Sequence, residues 1–115
     1  MLLNINFTGL YLKTNNPMAL STKTINKMSQ IVKERGGFIN RLEKEENADV
    51  FISEKLDKIS LSHEKYGTDV HKYMKPIPLK AFTAENEEKI IKTLREAVKK
   101  IENDWDICDY LAQMH

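Results

Sequence analysis

The order of apolar and polar positions at the start of the chain is that of a β-strand. Over residues 3–13 apolar side chains alternate with polar ones, and around Leu10 apolar residues occupy both the odd and the even positions. This pattern predicts a strand whose second half is buried on both faces. The run Asn15-Asn16-Pro17 contains turn-forming residues and is predicted to end the strand.

A helical period follows this turn. Ser21 is the predicted N-cap of a helix. One side of the helix carries an apolar stripe, formed by Ile25, Met28, Ile31 and Val32. Gly36-Gly37 is predicted to end the helix, since glycine tolerates the left-handed cap conformation. Residues 38–42 are then predicted as a second strand and residues 48–53 as a third, short and apolar strand.

The middle of the chain has no clear period. Residues 54–82 are predicted to form an irregular excursion, because Gly67, Pro76 and Pro78 interrupt any regular element. A short hairpin or a helical turn within it stays open. A fourth strand is expected either at Lys75–Phe82 or at Lys99–Glu102, and the pattern leaves both positions open.

The last third of the chain is predicted to be helical. Thr83 is the predicted N-cap, with glutamates in the first turn and Lys or Arg residues after them, an order that complements the helix dipole. Asn103 and Asp104 are predicted to interrupt the helix, and a final short helix carries Trp105. These elements predict a single domain over 1–115 of the α/β class. Its small central four-stranded sheet is expected to be mainly parallel, with helices on both faces.

Composition narrows the classes of function. The 115 residues contain 18 basic and 17 acidic side chains, a net charge of +1, and 41% hydrophobic residues. This balance excludes a histone-like nucleic-acid binder and a polyanionic mimic of nucleic acid. The single cysteine, Cys108, excludes an intrachain disulfide and a Cys-rich zinc site, so no metal or cofactor is expected. No secretory signal and no membrane span is recognisable.

The charges are nevertheless unevenly distributed. Residues 1–42 contain six bases and one acid, Glu34, which gives a local charge of +5. Basic side chains near the first helix are candidate contacts to a DNA backbone or to an acidic partner. They are Lys23, Lys27, Lys33 and Arg35. A solvated helix face is the simpler explanation of the same residues.

Several short motifs, taken in order along the chain, resemble those of the BRCT domain, a small repair and checkpoint module. They are Phe7-Thr8-Gly9-Leu10 in the first strand, Gly36-Gly37 after the first helix, Ala48–Ser53 as the third strand, and Trp105 followed by Cys108 in the last helix. Gly9 is expected to permit a close backbone approach. Trp105 is expected to anchor the last helix in the core.

The resemblance implies a fold, a function and a location. The fold has a parallel sheet in the strand order 2-1-3-4. The function is that of a non-enzymatic protein-interaction module of a DNA-repair, replication or checkpoint factor, located in the nucleus. Many members of the family bind phosphoserine peptides, and the matching positions here are Thr14 and Asn15 after the first strand with Lys89 or Lys92 in the second helix. A hydroxyl, an amide and an ammonium group that converge can bind phosphate.

Two alternatives belong to other functional classes. A small stand-alone inhibitor, such as a toxin-immunity or anti-defence protein, predicts an antiparallel meander through residues 38–82 and a cytoplasmic location. A small ribonuclease predicts that His63 and His71 converge in one pocket for acid–base catalysis. In all of these hypotheses the protein is not secreted, and in the first two its partner is another protein.

Overall fold

Strands and helices alternate only at the two ends of the domain, and a meander of strands lies between them. In the computed structural model, the described residues are 9–15 and 20–113, with side chains up to residue 105. The elements are β1 (Leu10–Lys13), α1 (Thr22–Glu46), β2 (Ala48–Ser53), β3 (Lys58–His63), β4 (Ile77–Pro78) and α2 (Glu87–Gln113), with 3-10 turns at Thr68–Lys72, Leu79–Ala81 and Ala84–Asn86. Residues 3–8 of the strand predicted over 3–13, the turn residues Asn16 and Pro17, and the side chain of Cys108 lie outside the described residues.

The described strands form one mixed sheet in the order β1-β2-β3-β4. β1 is parallel to β2, with Leu10 opposite Val50. β2 and β3 are antiparallel, and so are β3 and β4. The predicted α/β domain with a four-stranded sheet is confirmed, but the mainly parallel sheet is borne out only in part, because one of the three described strand pairs is parallel. The order also differs from the 2-1-3-4 that the resemblance implies. The physical reason is the short turn at 54–57, since a parallel connection needs a crossover of a dozen or more residues.

Helix α1 continues through the two glycines that the sequence analysis places at its end. Ser21 is its N-cap and accepts a hydrogen bond from the Thr24 amide at 3.2 Å, as predicted. The predicted strand at 38–42 is helical instead, because a buried stripe runs on at helical spacing past the glycines through Phe38 and Leu42. The helix ends at Asn47, which adopts the left-handed conformation with φ 53°.

Both described helices pack against the same face of the sheet. Leu12, Val50 and Leu61 alternate onto this face and share one core with the apolar stripes of α1 and α2. The other face carries the half-buried pair Tyr11 and Phe51, whose ring centroids are 5.5 Å apart. The prediction of helices on both faces is borne out only in part: both described α-helices flank one face, because antiparallel turns bring no crossover helix to the second face.

Helix α2 runs beside α1 in the same direction. Ion pairs join the two helices in rising order along both, at Arg35–Glu87 (3.1 Å), Arg41–Glu88 (3.0 Å) and Glu46–Arg95 (2.7 Å). Thr83 is extended and precedes a 3-10 turn that leads into α2, and its side chain makes no capping bond. The helix is unbroken at Asn103 and Asp104, which contradicts the predicted interruption there.

The region predicted as an irregular excursion contains regular structure. It includes β3, with Ile59 and Leu61 buried, and β4 at the sheet edge. β4 lies inside the first of the two positions expected for the fourth strand, while 99–102 is helical. The strand signal of β3 is weak in the sequence because Ile59 and Leu61 are the only apolar residues of its six.

The residues predicted to be structural have different surroundings. Gly9 has φ +90°, and a Cβ atom there would lie 3.3 Å from Ile39 Cγ2. Gly37 has open space around it and Gly36 has only an ordinary contact. Trp105 is not the buried core anchor that the sequence analysis expects. It is 44% exposed and meets Tyr66 edge-on, with the ring centroids 4.8 Å apart.

Candidate functional site

A cleft of about 320 Å³ lies between the segment 73–81 and the N-terminal half of α2. Its apolar lining includes the buried residues Met74 and Ile90 and the half-buried Ile77. A volume in this range and an apolar lining with a few polar groups are typical of ligand sites. We call this site the α2 cleft.

The outer wall of the α2 cleft is held by backbone hydrogen bonds at both ends. The Met74 amide donates to the Val70 carbonyl at 2.9 Å, and the Leu79 amide donates to the Asp57 carbonyl at 2.9 Å. Pro76 and Pro78 lie between these anchors and fix two φ angles, which limits the conformations open to the wall. The cleft is therefore largely formed before any ligand arrives.

Asn86 closes the far end of the α2 cleft. Its side-chain amide donates to the Ala81 carbonyl at 2.9 Å and lies 3.4 Å from the Thr83 hydroxyl. These bonds tie the 79–81 turn to the start of α2. Asn86 is thus occupied in holding the wall, although it also lines the cleft.

The polar rim of the α2 cleft is positively charged. Lys75 and Lys89 line it and are exposed, and no carboxylate is among its described lining residues. Neither lysine is in an ion pair of the described residues. The cleft therefore offers two ammonium groups beside an apolar surface, which favours a ligand that is partly apolar and partly anionic.

Tyr73 forms the end of the cleft nearest the C-terminal half of α2. It is 37% exposed, and its hydroxyl donates a hydrogen bond to the Asp104 carboxylate, which raises the pKa of Tyr73 above its ordinary value. Lys100 Nζ lies 5.6 Å from the centre of its ring. These contacts fix the ring at the mouth of the cleft. An exposed tyrosine held in one position is typical of a binding hot spot.

The predicted phosphate pocket is not assembled. Thr14 and Asn15 follow β1, at one edge of the sheet, whereas Lys89 lines the α2 cleft beside β4, at the other edge. Strand spacing puts these edges about 14 Å apart. Lys92 lines a different groove of α2, together with Glu88 and Arg95. Of the predicted phosphate-binding residues, Lys89 alone lies at the α2 cleft.

The four basic residues of the first helix separate into three environments. Lys23 and Lys27 line a second cleft, described below, and Lys33 is exposed on α1. Arg35 is a structural residue instead. Its guanidinium carbon lies 5.1 Å from the centre of the Phe38 ring, and its Nη2 is 3.1 Å from Glu87. Its Nε is buried and has no hydrogen-bond partner among the described residues, and its guanidinium carbon also lies 5.7 Å from the centre of the Phe82 ring.

The two histidines do not converge. The imidazole of His71 donates through Nε2 to the Leu61 carbonyl at 3.0 Å, because a carbonyl can only accept. His71 lines a small cleft of about 90 Å³ with Ser60 and Ser62, on the face of the sheet away from the helices. His63 alternates to the other face, where it accepts a bond from the Lys65 amide at 3.0 Å. Both imidazoles serve the local backbone, so the geometry that the ribonuclease hypothesis requires is not present.

Lys75 lines the α2 cleft but is not among the site residues predicted from the sequence. It lies in the segment interpreted as irregular, where no period indicates which side chains face each other. The signal available in the sequence is Lys75-Pro76-Ile77-Pro78, in which a lysine precedes an apolar residue between two prolines. Such a run favours a stiff, extended wall.

Comparisons with known proteins do not place the chain in a family. No protein-family model, curated protein or solved structure matches it. None of the described helices combines the length and apolar character that a membrane crossing needs. The described residues also contain no group of three or more His, Cys, Asp or Glu side chains that could hold a metal ion.

Proposed function

We propose that the chain is a non-enzymatic protein-binding domain and that its α2 cleft binds a short segment of a partner. The observation that carries this proposal is the apolar cleft with Lys75 and Lys89 at its rim, neither of them in an ion pair of the described residues. Interfaces of proteins concentrate binding energy where an apolar pocket is bordered by tyrosine and cationic groups. Tyr73 and the two lysines supply such a border.

The chemistry of the cleft indicates the kind of segment. Its apolar lining fits one or two aliphatic or aromatic side chains, and the two ammonium groups fit acidic or phosphorylated residues beside them. A peptide that binds to a preformed groove loses conformational entropy only in the peptide. Binding to a groove that must itself become ordered costs additional entropy. The prolines of the wall make the α2 cleft a groove of this preformed kind.

A peptide-display selection against the purified domain tests this proposal. We expect the enriched peptides to share an apolar residue next to Asp or Glu. A synthetic copy, measured by fluorescence anisotropy, should bind more tightly when a neighbouring serine is phosphorylated. Changing Lys89→Glu should weaken binding about tenfold or more, the effect of losing one close charge pair worth about 1.4 kcal/mol.

The matched control is Lys92→Glu, which makes the same change of charge one helical turn away in a different groove. It should leave peptide affinity within about twofold of the wild type, given the weak effect of screened charges. The proposal fails if no motif is enriched, or if both charge reversals weaken the peptide equally.

A specific observation also favours the inhibitor hypothesis. The strands β2, β3 and β4 form an antiparallel meander over residues 48–78, the arrangement that this hypothesis predicts. As an inhibitor, the domain would apply the same cleft to a folded enzyme, and isolated peptides would bind far more weakly than the enzyme. The placement in DNA repair and in the nucleus depends only on the BRCT resemblance and stays a prediction.

A further inference from the structure

A second cleft, of about 460 Å³, lies between the first turns of α1 and the β2–β3 turn. Lys23 and Lys27 lie one helical turn apart on α1, and Lys55 is at the tip of the turn opposite them. All three side chains are exposed. We call this site the basic cleft.

The basic cleft carries positive charge that nothing in its lining neutralises. Its other lining residues are polar or apolar, and none is acidic: Thr24, Asn26, Gln30 and Leu56. None of the three lysines is in an ion pair of the described residues. The nearest carboxylates in sequence are Glu54 and Asp57, one and two residues from Lys55, and Asp57 accepts a hydrogen bond from the Ser53 hydroxyl. Glu34, further along α1, accepts a hydrogen bond from Gln30 Nε2 at 3.1 Å.

The fold holds Lys55 in place against the helix. The Ser53 hydroxyl donates to Asp57 at 2.7 Å and accepts the Asp57 and Lys58 amides at 3.2 and 3.1 Å. Leu56 has φ 59°, a left-handed conformation that is costly for a bulky residue. Its half-buried side chain packs against the core, and this contact offsets the strain. The turn is thereby fixed with Lys55 facing α1.

We propose that the basic cleft binds the phosphate backbone of a nucleic acid, as a function separate from the α2 cleft. The ammonium groups supply the point contacts that phosphates take, and the amides of Asn26 and Gln30 supply neutral donors beside them. The first turn of α1 contains no acidic residue, so its N-terminal dipole adds to the positive potential.

The lining favours a nucleic-acid backbone over an acidic protein. A protein hot spot needs a buried apolar or aromatic anchor. Leu56 is the only large apolar residue among the described lining residues, and it is already packed against the core. A site of cations and amides without an anchor fits a regular polyanion that is held by its charge. Such binding is independent of base sequence.

Salt-dependent anisotropy with a short fluorescein-labelled DNA duplex tests this proposal. Three phosphate contacts predict a slope of about −2.7 for log K against log salt, so affinity should fall about 40-fold between 50 and 200 mM NaCl. The combined variant Lys23→Gln, Lys27→Gln, Lys55→Gln should lose this dependence. The matched control is Lys44→Gln, Lys92→Gln, Lys99→Gln, which removes the same charge from exposed positions of α1 and α2 outside both clefts and should keep the slope.

Each other outcome overturns the proposal. No measurable binding at low salt removes it, and equal losses in both triple variants would show an effect of net charge alone. Binding of polyglutamate as tightly as the duplex would show an acidic-protein site instead. Circular dichroism and melting of each variant identify any loss caused by unfolding. Because peptide binding at the α2 cleft is measured separately, failure here leaves that function untouched.

Discussion

Replacing Gly36 and Gly37 with alanine distinguishes the structure from the interpretation based on sequence alone. If α1 continues to Glu46, both glycines occupy a helix interior, where alanine is the better residue. If the helix ended at the glycine pair, one of them would be left-handed, and alanine there would be strained. The two arrangements therefore predict opposite signs for the change in the free energy of unfolding.

The size of the effect follows from the space around each glycine. A Cβ atom at Gly36 would lie 3.7 Å from Val32 Cγ1, an ordinary contact, and one at Gly37 would meet nothing within 4 Å. Each change should then stabilise the domain by about 0.8–1.0 kcal/mol. For a chain of this length, about 1.8 kcal/mol for both corresponds to a rise in melting temperature of about 7 °C.

Urea unfolding and thermal melting of the two single variants and the double variant measure this effect. Gly9→Ala is the matched control, because the same change at φ +90° should destabilise the domain by about 1–2 kcal/mol. A loss of stability at Gly36 or Gly37 comparable with that at Gly9 would refute the continuous helix.

Three other predictions concern stability. The hydrogen bond from the Arg95 guanidinium lowers the pKa of Glu46 in the folded protein below the ordinary 4.5. The wild type should therefore be more stable than Glu46→Gln by its full margin above about pH 4.5, and this margin in the free energy of unfolding should disappear as the pH falls through the pKa of folded Glu46. Urea titrations across that range measure it, and an advantage that persists at the lowest pH would contradict the pairing. Leu56→Gly should be about 1 kcal/mol more stable than Leu56→Ala in the same assay, because only glycine adopts φ 59° without strain; equal stabilities would contradict this. Phe82→Ala should lower the free energy of unfolding by about 3–5 kcal/mol. Trp105→Ala, at a half-exposed position, should lower it by less than about 2 kcal/mol. A larger loss for Trp105→Ala than for Phe82→Ala would show that Trp105 is a core anchor.

Local signals in the sequence were sufficient for several elements. The Ser21 cap, the short strand at 48–53 and the apolar stripe from Ile90 to Ile101 all depend on residues close together in the chain. The α/β class follows from them. The glycine pair is a misleading signal for the end of α1. Its preference against the helix, worth about 2 kcal/mol, is outweighed by the burial of Phe38 and the apolar residues that follow it in the helix.

The direction and order of the strands depend on contacts between distant residues. The β2–β3 turn has no glycine or Asn-Gly signal, since Leu56 occupies the left-handed position, so the sequence does not indicate where a hairpin turns. The BRCT resemblance implies a parallel strand order and a pocket that joins Thr14 to Lys89, and the antiparallel pairing of β2 with β3 departs from that order. Lys75 and Lys55 were missed for a related reason, because both lie where no period predicts which face a side chain occupies.

The most direct test of the α2 cleft is a ¹H–¹⁵N NMR titration of the labelled domain with a peptide enriched in the display selection. The account predicts that shifted amides cluster in residues 73–81 and 86–93, and that Lys89→Glu removes the shifts while Lys92→Glu keeps them. Shifts concentrated at the basic cleft, or spread evenly over the domain, would contradict the assignment of the α2 cleft as the partner-binding site.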